Sequence, residues 1–382
     1  MLTFLIFGLF TISPISAQKN INVCFTKSAS LPVNKVLGSQ PGLAGVFTGN
    51  TNNKIIIAGG ANFPGGLPWE GGKKTYWNQI YVFSIGKKGE PVWETTSSVL
   101  KENLAYGASV QTDNGVLCIG GDNENGISKK VFLMRITNND NEMEFVDYPE
   151  LPIPLTNLSA TKVNNIVYAA GGETVNAVSD KLFALDLKNL KNGWVELAAL
   201  PKQVSHAVML GNGAGKEAKL YLLAGRKRNS TGISDIYASV FEYNIANNQW
   251  VQKKDMPYPV AAGVGMNVDG KGLFYIGGDK GETFHKVETL LAAIAIEKDE
   301  TKKQQLIQQK NALQQNHPGF NKEILHYNIQ KDAWSHAGFA CDEMPVTTAI
   351  ASAKKYYYIT SGEIKAGVRT DKILIINNIT GL

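Results

Sequence analysis

The chain is poor in features that mark several large functional classes. Its 382 residues include only 3 cysteines, Cys24, Cys118 and Cys341, with no CxxC spacing. An odd, widely spread set argues against a disulfide scaffold or a zinc site. Buried free thiols are the plain reading, and a Cys24–Cys341 bridge stays open for an oxidising compartment. Charged residues make up 19% of the chain and the net charge is +5. The lysine pairs Lys87-Lys88, Lys129-Lys130 and Lys302-Lys303 are scattered rather than gathered into a basic stripe. Nucleic-acid binding needs such a concentrated footprint, so it is excluded as a leading reading. The 5 histidines show no ligand spacing. No P-loop, no GxSxG and no GxGxxG between a strand and a helix is present.

Long hydrophobic runs are also missing. The most apolar stretch, Met1 to Ile12, is too short to span a bilayer. Small residues follow at Ser13, Ser16 and Ala17. The pattern predicts a secretory signal peptide over 1–17, cleaved before Gln18, and hence a secreted or periplasmic protein. A basic n-region is lacking, and a buried N-terminal strand is the alternative.

What is abundant is glycine, with 38 residues, and it is periodic. Six strand-like runs each end in a pair of small residues: Gly59-Gly60, Gly120-Gly121, Gly171-Gly172, Ala224-Gly225, Gly277-Gly278 and Ser361-Gly362. The intervals are 61, 51, 53, 53 and 84 residues. Around each pair the same order returns: a strand before, a strand after, then a tryptophan at Trp93, Trp194, Trp250 and Trp334, often with a Pro-containing link. Four short strands at a period near 50 are the kelch signature of a β-propeller blade. The expected fold of residues 18–382 is therefore an all-β, six-bladed propeller in one domain. Each tryptophan is expected to cap its outer strand against the next blade.

The sixth unit lacks an outer strand, because its third strand, at Ile373 to Asn378, is the last in the sequence. Residues 21–27 have the form of an outer strand followed by a Pro link. They are expected to pair beside 373–379 and close the ring, which removes the open edge. The fifth unit is interrupted over about 282–318. Apolar residues at 284, 287, 290, 291 and 294 have helical spacing, and the run that follows is rich in Lys, Gln and Glu. This predicts a helical insertion that ends at Pro318-Gly319. It is either a solvated decoration or a lid.

Chemistry is expected where the small pairs deliver the chain to one rim. The residues directly after them are Ala61, Asp122, Glu173, Arg226, Asp279 and Glu363. Five of the six are charged, which suits a polar pocket near the axis. Exposed blade loops are often polar anyway, so most of this ring needs no functional account. Glu363 with Arg369 is the exception. The two flank a turn between adjacent strands, so a base and an anion clamp can converge. A surface ion pair would be the inert alternative. His206, beside an apolar strand, is expected to be structural.

At these residues the chain resembles the N-acetylneuraminate epimerases, or sialate mutarotases, which are secreted or periplasmic kelch propellers. The stretch Gly362-Glu363-Ile364-Lys365-Ala366-Gly367-Val368-Arg369-Thr370-Asp371 follows the family's G-E-x-K-x-G-x-R-T-D pattern. Ala58 to Gly66 continuing to Gly72-Lys73-Lys74-Thr75-Tyr76, and the helical insertion after Gly277-Gly278, match as well. The order of blades is rotated relative to the better-known members, so the chain resembles a cyclically permuted branch.

The resemblance implies interconversion of the α and β anomers of sialic acid without a metal or organic cofactor. It matches Glu363 to the proton acceptor and Arg369 to an arginine expected to hold the substrate carboxylate. Asn62, Arg226 and Glu173 are weaker substrate-binding candidates, placed by loop position. Lys73 and Lys74 match family residues that can also be surface positions. The competing reading is a secreted kelch module that binds a glycan or protein without catalysis. A copper radical oxidase on the same fold ranks last, since its His/Tyr metal constellation is missing from the sequence.

Overall fold

A computed structural model describes residues 22–137, 142–230, 232–268, 272–340 and 342–380. The signal-peptide expectation, Cys341 and the side chain of Cys24 lie outside what it describes. Cys118 is a free, buried thiol.

Six antiparallel sheets of four strands each follow one another along the chain. Their innermost strands are Phe47–Thr51, Ala108–Thr112, Ser159–Val163, Val208–Asn212, Val264–Val268 and Ala349–Ala353. Each of these touches the corresponding strand of both neighbouring sheets, the sixth touching the first, so the sheets stand as blades around one axis. The second strand of every blade is an almost continuous apolar run, such as Lys54–Ala58 or Gly115–Ile119. Such strands are buried on both faces, and blade-on-blade packing supplies the second face.

The core is accordingly divided into six apolar clusters, one per blade interface. Between the first and sixth blades, Ile55, Ile57 and Phe83 meet Tyr358, Ile373 and Ile375. Phe83 and Tyr358 stack edge to face at 5.1 Å.

The ring closes as the sequence predicts. Strand β1 (Asn22–Ser30) pairs antiparallel with the final strand, Val368–Thr380, and completes the sixth blade. Leu31 N–H extends the ladder to Asp371 O at 2.8 Å.

One expectation needs correction. The outer-strand tryptophans pack backwards, onto the preceding blade. Trp194, Trp250 and Trp334 donate their indole N–H to the carbonyls of Pro149, Ala198 and Lys254, which all lie in the link that leads into the tryptophan's own blade. That link leaves the outer edge of the previous sheet, so its carbonyl is the polar group within reach of the ring.

In the fifth blade two helices, α1 (Glu282–Ile296) and α2 (Glu300–Gln315), separate the strands Gly272–Ile276 and Glu323–Asn328. The Asp299 side chain caps α2 by accepting Lys302 N–H at 3.0 Å. No helix among the described residues is long and apolar enough to cross a membrane.

Candidate active site

The six rim residues occupy one equivalent position. Ala61, Asp122, Glu173, Arg226, Asp279 and Glu363 each form an antiparallel bridge, to Ala44, Ala105, Thr156, Ser205, Ala261 and Val346 respectively. The next residue after each of these partners turns into the left-handed region: Gly45, Tyr106, Asn157, His206, Ala262 and Thr347 have φ between 46° and 68°. Their backbones link around the axis. Tyr106 N–H donates to Gly45 O at 2.8 Å, Asn157 N–H to Tyr106 O at 2.8 Å, and His206 N–H to Asn157 O at 3.0 Å. Ala262 N–H reaches His206 O at 2.9 Å, and Gly45 N–H reaches Thr347 O at 2.7 Å. This collar holds conformations that a non-glycine residue rarely adopts. It fixes the backbone beside which the rim residues bridge.

In the sixth blade the second strand does not stop at the small pair. It runs on as Tyr356–Lys365, turns through Ala366-Gly367 and returns as Val368–Thr380. Ser361 makes this continuation possible. Its buried hydroxyl accepts Leu43 N–H at 2.8 Å and lies 2.8 Å from Leu43 O and 2.6 Å from Thr370 O. Glu363 and Arg369 are direct register partners across the hairpin. Opposite residues of an antiparallel pair share a face, so the carboxylate and guanidinium meet. Glu363 Oε2 lies 2.8 Å from Arg369 Nη1. The turn requires Gly367, with φ +72°, because a Cβ there would stand 2.7 Å from Pro68 Cδ. Gly367 N–H in turn donates to Glu363 Oε1 at 2.9 Å.

Arg369 is 5% exposed at its side chain and stacks on Phe63 at 5.1 Å. Its contact with Glu363 is close but not aligned along an N–H. Nε and Nη1 are buried without a hydrogen-bond partner among the described residues. A buried guanidinium that is not fully hydrogen-bonded is a receptive anion site.

The pair opens into a cavity of about 310 Å³. Its polar side holds Glu363, Arg369, Asp279 and His317, and its apolar side includes Phe63, Phe284, Val287 and Phe320. His317 is buried, and its Nδ1 accepts Gly319 N–H at 3.0 Å. That contact leaves the proton of the neutral ring on Nε2. Burial lowers the His317 pKa, opposed by the charges of Asp279 and Glu363.

The helical insertion forms one wall of this cavity. Arg226 stacks on Phe284 of α1 at 4.8 Å. Glu288 of α1 accepts Ser234 N–H at 2.9 Å and the Ser234 hydroxyl at 2.7 Å. Arg226 is itself held from behind. Its Nη2 lies 3.4 Å from His206 Nε2 and 4.0 Å from Glu173 Oε1. Glu173 accepts the Ser205 hydroxyl at 2.7 Å and lies 3.6 Å from His206 Nδ1. Burial drives the His206 pKa well below its usual value, and Arg226 adds to the effect.

On the other flank of Arg369, Lys74 places its ammonium 4.9 Å from both the Tyr76 and Tyr106 rings. Lys74 is exposed at the mouth, but the aromatic walls dehydrate its ammonium and lower its pKa, while Asp122 opposes the shift. Burial raises the Tyr106 phenol and the Asp122 carboxyl, countered most by Arg369 and Lys74 respectively.

The structure thus brings together Glu363 and Arg369, with Arg226 and Glu173 further round the rim. It does not bring Asn62 or Lys73 to the cavity. Asn62 is buried behind it, donating to Gly42 O at 2.8 Å and accepting the Trp77 indole N–H at 2.8 Å. Lys73 is exposed and does not line the cavity. Sequence reasoning missed His317 and Tyr106, and it left Lys74 as a possible surface position. His317-Pro318-Gly319 at the end of the insertion was the available signal. Tyr106 would emerge from aligning the residues two positions before each innermost strand.

Fold and site together define a kelch-type β-propeller whose mouth carries a carboxylate–guanidinium pair. The chain belongs to the N-acetylneuraminate epimerase family, which matches residues 11–143 and 148–379. It is 40% identical to the N-acetylneuraminate epimerase of Vibrio cholerae over 114 residues, 27% of this chain and 28% of the relative. It is 27% identical to that of Salmonella paratyphi B over 231 residues, 59% of this chain and 57% of the relative. The Pasteurella multocida protein of the same name is 25% identical over 224 residues, covering 58% and 57%. The solved structure of YjhT is similar at a TM-score of 0.52 and 25% identity, over 61% of this chain and 65% of that one. The aligned stretches span 28% to 57% of these curated relatives' own length.

Proposed function

We propose that this protein is a mutarotase that interconverts the α and β anomers of N-acetylneuraminate by acid–base ring opening. The observation that carries the reading is the Glu363–Arg369 pair in its cavity, with the buried guanidinium Nε unpaired. The relatives' shared name supports the substrate.

Arg369 takes the substrate carboxylate, which sets the neighbouring anomeric carbon beside Glu363. Glu363 accepts the proton of the anomeric hydroxyl as the bond between the anomeric carbon and the ring oxygen opens. The ring oxygen takes up a proton from solvent and becomes a hydroxyl, while Glu363 gives the proton it accepted back to solvent, so the opening leaves the protein unchanged. The carbonyl rotates, and the same steps run backwards on its other face. His317, neutral and fixed with its proton on Nε2, donates a hydrogen bond to the ring oxygen. A positioned acid–base pair accelerates such a step by about 10²–10⁴-fold.

The apolar run at the N-terminus, followed by Ser16 and Ala17, supports export to the periplasm or beyond. The test is direct. α-Sialic acid is released by a sialidase, and its approach to the anomeric equilibrium is followed by proton NMR with and without the protein. Unchanged kinetics would overturn the proposal.

A further inference from the structure

Helix α1 carries an apolar stripe but buries none of its residues. Phe284 and Val287 are half-buried and border the cavity. The helix is not free to sink into the propeller. Glu288 ties it to Ser234, and Arg226 holds Phe284 by its ring face. An apolar patch at Phe284 and Val287 thus lines the same cavity of about 310 Å³ as the charged Glu363 and Arg369, with Thr283 and Gln314 beside it. Phe320 extends the apolar wall.

A free sugar acid offers little that such a wall would favour. Its edges are hydroxyls and its carboxylate belongs on Arg369. The exception is an acyl group on an amino sugar, whose methyl is apolar and lies across the ring from the carboxylate. We propose that Phe284 and Val287 form the subsite for this acyl methyl, so that the site selects N-acylated amino-sugar acids over the same sugar acids with a hydroxyl in that place. The inference rests on the mutarotase reading of the site and names what sets its specificity.

One methyl in an apolar pocket is worth about 10- to 200-fold in discrimination. The wild-type protein should therefore favour N-acetylneuraminate over its 5-hydroxy, deaminated counterpart by about tenfold or more in kcat/KM. Val287→Asn, and separately Phe284→Ser, should bring the ratio to within about threefold. The drop should come from the acetylated sugar, with the hydroxyl sugar retained. Unchanged far-UV circular dichroism and melting would show that each variant is folded. Having two variants covers the case in which loss of the Arg226 stack loosens the helix. Anomerisation of both sugars at equal kcat/KM by the wild type would overturn the subsite and leave the mutarotase reading standing. Equal losses for both sugars in Val287→Asn would do the same. Acceleration of neither sugar would overturn both.

Discussion

Glu363 and Arg369 are opposite residues of one β-hairpin, and their side chains meet at 2.8 Å in the mouth of the propeller. Six residues apart, they are brought together by a two-residue turn. The two side chains are therefore set by backbone hydrogen bonds, not by flexible loops. Glu363→Gln keeps the Gly367 contact and the shape but removes the proposed base. We expect the NMR-measured rate of anomerisation to fall by about 10²–10⁴-fold, with circular dichroism unchanged. Retention of the wild-type rate would show that another group takes the proton.

Arg369→Lys tests the clamp. Lysine keeps the charge but loses the planar fork and the stack on Phe63. A hydrogen bond to a charged group contributes about 1.5–3 kcal/mol, so losing one should raise KM for the sugar acid about 10- to 100-fold. The rate at saturation should change less. An unmoved KM would remove Arg369 from carboxylate binding.

Much of this was legible in the sequence, for identifiable reasons. The small pairs mark the point where the chain must take positive φ, as at Gly59, where a Cβ would stand 2.2 Å from Leu104 O. That demand is local, so it shows as a period. The closing role of β1 was legible because the last unit ends one strand short. The direction in which the tryptophans pack was not, since it depends on which neighbour's carbonyl lies within reach. Asn62 misled because its loop position resembles that of a ligand-facing residue, while Gly42 and Trp77 take both ends of its amide. His317 stayed hidden because it reaches the site by way of an insertion about forty residues long, which no spacing rule spans.

His206 should make stability depend on pH. It is buried among Ser205, Glu173 and Arg226, and its folded pKa lies well below the unfolded value of about 6.5. The unfolded chain therefore binds a proton that the folded chain refuses. The stabilisation is complete above about pH 6.5 and is lost as pH falls below it. His317 and His326, also lowered by burial, act in the same direction. Asn157 holds the equivalent left-handed position in the neighbouring blade, so His206→Asn should be tolerated. Melting temperatures between pH 8 and pH 5 should show a smaller acid loss in this variant. An identical slope would assign the effect elsewhere.

Ser361 ties both strands of the sixth-blade hairpin to the loop at Leu43 at one buried point. Its hydroxyl serves Leu43 N–H and the carbonyls of Leu43 and Thr370. Ser361→Ala keeps the volume nearly constant and removes the acceptor of Leu43 N–H and the one proton shared between the Leu43 and Thr370 carbonyls. Each buried, unsatisfied polar group costs about 1–3 kcal/mol. Chemical denaturation should show a loss of that size at unchanged m-value. Because Thr370 adjoins Arg369, anomerisation should weaken as well. A neutral effect on stability would mean that the hydroxyl is dispensable.

The clasp at β1 carries the last prediction. Its pairing with Val368–Thr380 covers the outer side of that strand, and Val23 is buried in the cluster shared with the fifth blade. Removing residues 1–30 would bare that thirteen-residue strand and uncover apolar surface on both sides of it. Exposed flat edges of this kind recruit other chains. The truncated protein should aggregate or fail to melt cooperatively. Val23→Asp, which puts a charge into the same cluster, should lower the melting temperature without removing any ladder hydrogen bond. Together the two variants separate the loss of the edge from the loss of packing. A truncated protein that melted like the intact one would show that five and three-quarter blades suffice to hold the ring.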